Sequence, residues 1–131
     1  MNSRTATTLL DAPPTDVFAY LADIENLPEW ATEFARELKH VDGRHKVVNG
    51  LGEFFFELRP DETTGVIDML AGPTEGELAV FPTRVVGLPD GSSAFTFTMF
   101  QPPGMPDELF ESQYASLLRE LENVRRRLAT G

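Results

Sequence analysis

Phe110, Tyr114, Leu117, Leu121, Val124 and Leu128 recur at steps of 4, 3, 4, 3 and 4, which puts six apolar side chains on one face of a C-terminal helix of about 22 residues. A stripe that long has to be covered. Asp107, Glu108 and Glu111 at its start and Arg125, Arg126 and Arg127 at its end complement the helix macrodipole, so the helix is favoured before any packing. From about Arg36 to Gln101 the apolar period is two instead. Phe54, Phe56 and Leu58 alternate with Glu53, Phe55, Glu57 and Arg59, and Phe95, Phe97 and Met99 alternate with Ala94, Thr96 and Thr98. A sheet with so aromatic a face cannot turn it to water, and only the C-terminal helix is long enough to cover it. The chain therefore reads as α+β, an antiparallel sheet closed by one helix.

Turn signals cut the sheet region at Asp42-Gly43, Asn49 to Gly52, Pro60 to Gly65, Gly72 to Gly76 and Asp90-Gly91. They leave five or six strands in a meander, at about 35–41, 44–49, 52–59, 64–71, 77–87 and 92–101, behind a Thr- and Leu-rich opener at 4–10. Pro82 cannot donate to a ladder, so a bulge or an edge is expected near it. Before the meander, Pro13 and Pro14 permit only a helix start, and Val17, Phe18, Leu21 and Ile24 mark a short amphipathic helix over 13–23. A second short helix is expected next, capped by Asn26, with Pro28 in its first turn and Trp30 and Phe34 sharing a face.

At 131 residues the chain fits a single domain, 1–131, large enough to fold without a disulfide or a metal staple. It has no cysteine, which removes a thiol nucleophile, a thiolate metal site and a redox pair. Eleven basic against twenty-one acidic side chains leave a formal charge of −10, which repels nucleic-acid phosphates and anionic lipid headgroups. Neither nucleic acid nor membrane insertion is expected. Met1 to Ala6 carries no secretion signal and no stretch has the apolar length of a spanning helix, so a cytoplasmic location is expected. There is no GxSxG, GxGxxG or Walker loop, so hydrolase, dinucleotide and nucleotide readings fall away.

The stretch LLDAPPTDVFAYLADIENLPEW (9–30), the aromatic-rich meander and the C-terminal helix behind a Pro-rich link resemble the START-like superfamily, also called SRPBCC. That superfamily includes polyketide cyclase/dehydrase-like proteins, lipid-transfer domains and ubiquinone-binding proteins. The resemblance implies a helix-grip fold: a curved antiparallel sheet of six to seven strands wrapped around the long C-terminal helix, with two short helices after the first strand and an apolar cavity between sheet and helix. No catalytic residue is shared across the superfamily. What it implies is binding of a small apolar or aromatic molecule in that cavity, by a monomer or homodimer with no cofactor. Two alternatives stand beside this: a polyketide cyclase/dehydratase-like enzyme using neither metal nor nucleotide, and a protein-interaction module without a ligand.

On that reading Trp30, Phe34, Leu38, Phe54, Phe56, Phe97, Met99, Tyr114 and Leu118 are the candidate lining residues. Plain core packing is the competing reading for each, since small domains fill space by default. For the enzyme alternative, His40 shares the parity of Leu38 and offers an acid/base at the cavity mouth, and Arg84 could hold a carboxylate or enolate from inside. Solvated side chains are the competing reading for both. Asp68 and Arg36 are similar cases. No metal site is expected, because His40 and His45 come with no HExxH spacing and no compact carboxylate partner in the sequence.

Overall fold

Two prolines set the direction of the chain after the first strand, β1 (Ser3–Leu10). Pro13 is extended at φ −66° and Pro14 opens helix α1 (Pro14–Ala22), where the missing N–H has no helical partner to lose. Val17 and Leu21 form its buried face. The structure, a computed structural model, describes residues 1–129.

The second short helix differs from expectation at both ends. The chain first makes a 3-10 turn at Ile24–Asn26, capped by Asp23, whose carboxylate accepts the Glu25 N–H at 3.0 Å. Asn26 is helical itself and caps nothing; its amide donates to the Tyr20 carbonyl at 2.9 Å. Helix α2 is only Leu27–Trp30, so Phe34 lies beyond it and shares no helical face with Trp30. The expected cap failed because Asp23 offers the same chemistry one turn earlier.

Seven strands follow the expected boundaries closely: β1, then β2 (Glu37–Val41), β3 (Arg44–Asn49), β4 (Gly52–Asp61), β5 (Val66–Gly72), β6 (Ala79–Gly87) and β7 (Ser93–Phe100). They form one antiparallel sheet in the order β1-β7-β6-β5-β4-β3-β2, so β1 is the only strand out of sequence order. The register places Leu58 opposite Met69, Met69 opposite Phe81, Val85 opposite Phe95 and Phe97 opposite Ala6, which fixes a continuous concave face. Pro82 sits where the β6–β7 ladder has ended, since that pairing stops at Thr83–Phe97 while β6 continues beside β5 alone. Its missing donor is thereby accommodated, as the sequence predicts.

Helix α3 (Asp107–Arg127) lies against the concave face, beside β1 and α2. Phe110, Leu117, Leu121 and Val124 are buried, and Tyr114 and Leu128 are half-buried. Its acidic first turn and three terminal arginines stand where the macrodipole favours them. The molecule is thus a curved seven-stranded antiparallel sheet gripping one long helix. Among the described residues, no helix is long and apolar enough to cross a membrane.

Candidate functional site

The space directly beneath α3 is largely filled. Trp30 meets Phe95 edge to face at 6.4 Å, and both pack with Met99, Leu117, Leu121 and Val124 in the core. A cleft of about 700 Å³ opens elsewhere, at the hairpin end of the sheet. It lies between Ala22 at the end of α1, Ile24 of the 3-10 turn, the β2–β3 turn, β4 and the β5–β6 loop. Ile24, Phe56, Leu58, Pro60 and Leu78 give it an apolar floor. Its rim is polar: His45 borders it, and Arg44 and Glu75 pair across it at 2.9 Å.

Local sequence explains how the rim is built. Asp42 and Gly43 have φ of 51° and 77°, the left-handed pair that a two-residue hairpin turn needs, and Gly takes such angles freely. The turn locks His40 opposite His45, so both rings leave the concave face side by side, 4.4 Å apart between centroids. The 3-10 turn then brings Glu25 Oε1 to 3.1 Å from His40 Nε2. A carboxylate partner therefore does accompany the histidines. It comes from another element, which is why the spacing within 40–45 gives no sign of it.

The structure scatters the expected lining residues. Phe56 borders the cleft, and Phe34 stands behind it with the rings edge to face at 5.6 Å. Leu38 and Phe54 are half-buried on the same concave face, packed against the core. Trp30 and Met99 are core residues, 3% and 4% exposed. Phe97 is half-buried between Phe81 and Phe95, at 6.0 and 6.4 Å. Tyr114 is half-buried with the Arg4 guanidinium 5.1 Å above its ring. Leu118 is exposed and borders a second, polar cleft of about 480 Å³ beside Glu33 and Arg119.

Arg84 is on the opposite face of the sheet from the cleft. Phe81, Thr83 and Val85 take the concave side of β6, so Arg84 points outward and donates to the Thr64 carbonyl at 3.2 Å. Asp68 shares that outer face, opposite Pro82, and Arg36 is exposed near Gly50.

One ionisable residue has no place in the sequence reading. Glu120 is buried on α3 and its carboxylate accepts the backbone N–H groups of Glu33 and Phe34, at 3.1 and 3.0 Å. Burial pushes its pKa up to about 7, although both hydrogen bonds favour the ionised form. Its position, three residues after Leu117 and four before Val124, is the signal that places it on the buried face. Nearby Glu33 is held below the usual carboxylate range, first by its hydrogen bond from Arg119.

The sequence matches no family model. No curated protein is similar to it in sequence. Solved structures are similar over almost the whole chain. A protein from Bacillus thuringiensis is 14% identical with a TM-score of 0.75, over 97% of this chain and 98% of that one. A START superfamily protein from Mycobacterium smegmatis is 15% identical with a TM-score of 0.70, over 96% of both chains. The fold is START-like. The di-domain ARO/CYC protein BexL of the BE-7585A biosynthetic pathway is 16% identical with a TM-score of 0.71, over 96% of this chain and 46% of that one. The START-like helix-grip is thus kept while at least 84% of aligned positions differ in each comparison, which is possible because a curved sheet gripping a helix depends on face patterning rather than on particular side chains.

Proposed function

We propose that the protein binds a small molecule with an apolar or aromatic body in the hairpin-end cleft, its polar end toward His45 and the Arg44–Glu75 pair. The observation that carries this reading is the cleft itself: about 700 Å³, floored by Phe56, Leu58, Ile24 and Leu78 and rimmed by a few polar groups. Ligand sites are typically about 300–1,000 Å³ and are built in this way. The START-like fold supports it, because BexL, an ARO/CYC protein, uses the same architecture.

A cyclase/dehydratase-like reaction is the second reading, and the Glu25–His40 contact favours it. A carboxylate 3.1 Å from an imidazole orients the ring, and that ring packs on His45, which borders the cleft where a ligand would lie. Arg84, on the outer face, takes no part in that scheme.

The test is a thermal-shift panel of fatty acids, quinones, flavonoids and polycyclic aromatics. A ligand at about 100 times its dissociation constant adds roughly 2.7 kcal/mol, a rise on the order of 10 °C for a domain of this size. Leu78→Arg, at the half-buried cleft wall, should abolish the rise. No rise with any compound, or a rise that survives Leu78→Arg, overturns the reading. For the enzyme reading, turnover of a bound compound should vanish in His40→Ala while binding persists.

A further inference from the structure

The chain contains two histidines, and the fold puts both beside one carboxylate. One donor atom from each of Glu25, His40 and His45 lies within 4.8 Å of the others. Among the described residues, this is the one place where three such donors converge. They come from three elements: the 3-10 turn, held by its Asp23 cap, and β2 and β3, held to each other by the tight Asp42-Gly43 turn.

We propose that Glu25, His40 and His45 form a binding site for a divalent transition-metal ion of the zinc type, with its remaining coordination positions open toward the cleft. Two imidazoles and a carboxylate, with no thiolate, suit zinc, nickel or copper rather than magnesium or calcium. Three protein donors leave a position for water or a ligand oxygen, unlike a closed four-residue structural site. Bonds of roughly 2.1 Å in a tetrahedron hold donors about 3.4 Å apart, and Glu25 and His40 already stand at 3.1 Å. The His45 donor lies within 4.8 Å of both, and rotation of the Glu25 and His40 side chains, 60% and 58% exposed, closes the triangle.

Electrostatics favour the ion. A net charge of −10 concentrates cations near the surface. Of the cations next to His40 and His45 in sequence, Arg44 is engaged by Glu75, Lys39 by Glu53 at 2.6 Å, and Lys46 lies over the Phe55 ring. Because His45 also borders the cleft, a bound ion sits at its mouth, where it can polarise a ligand oxygen. The site binds the ion alone, so it stands or falls independently of the apolar-ligand reading.

The experiment uses tag-free, chelator-treated protein. Calorimetric titration with zinc chloride should show one equivalent bound, and zinc should raise the melting temperature where magnesium does not. Glu25→Gln, His40→Ala and His45→Ala should each weaken zinc binding at least tenfold, since loss of a group that merely orients a ligand costs roughly 10- to 100-fold. The melting temperatures of the metal-free variants report whether they fold, and the exposed Glu25 and His40 positions keep the test valid even if His45→Ala is unstable. Electron paramagnetic resonance of the copper-loaded protein should show two imidazole nitrogens, falling to one in either histidine variant. Absence of zinc binding, binding that survives all three substitutions, or a copper spectrum without two nitrogens overturns the site.

Discussion

Glu120→Gln is expected to stabilise the protein above neutral pH and to leave it nearly unchanged in mild acid. Glu120 is 5% exposed, and its pKa rises from 4.5 to about 7 because burial penalises the ionised form. In the unfolded chain the same carboxyl ionises near its ordinary value. Between these two values the folded state holds a proton that the unfolded state has released, so stability falls as the pH rises. The contribution is full below about pH 4.5 and is gone once the pH has passed through about 7. At about 1.4 kcal/mol per pH unit, the difference between 4.5 and about 7 corresponds to roughly 3 kcal/mol. Gln keeps an oxygen for the Glu33 and Phe34 N–H groups and cannot ionise. Denaturant unfolding of both proteins at intervals from pH 5 to pH 8.5 should therefore show the variant gaining on the parent by about 2–3 kcal/mol as pH rises. A difference that is flat with pH would refute the raised pKa. Glu120→Leu separates the hydrogen bonds from the charge: it strands two backbone donors and should be less stable than Glu120→Gln, which also cannot ionise, by about 1–3 kcal/mol for each donor left without a partner, at any pH.

Two further substitutions test the core and a turn. Phe95→Ala should cost about 3–5 kcal/mol, because Phe95 is fully buried against Trp30 and Phe97, whereas half-buried Phe97→Ala should cost about half as much; equal losses by chemical denaturation would mean that the two rings are equally enclosed. Gly65→Ala should lower stability by about 2 kcal/mol or more, since Gly65 has φ +79° and an added Cβ would stand 2.2 Å from the Val85 carbonyl oxygen; an unchanged melting temperature would show that the β4–β5 turn tolerates a rearrangement.

Local periodicity was enough to place the strands, the one-faced helix and the concave parity of β4 and β7, because a period of two or of about 3.6 assigns each side chain to a face without reference to anything distant. The Asp42-Gly43 turn and the Pro82 interruption were legible for the same reason: each is a property of one or two residues. β6 was not. An inward Arg84 is one expectation from the sequence, but the pairing of Phe81 with Met69 and of Val85 with Phe95 turns the odd positions inward, and register is set by neighbouring strands. The position of the cleft was likewise a tertiary outcome. Trp30, Met99 and Leu117 fill the space under α3, and the open volume is left where the end of α1 meets the hairpins. Glu25 beside His40, and Glu120 beneath the Glu33 and Phe34 amides, depend on how the chain turns between elements, and no repeat period in the sequence records that angle. The sequence thus determines which faces are apolar, and packing alone decides which polar groups those faces bring together.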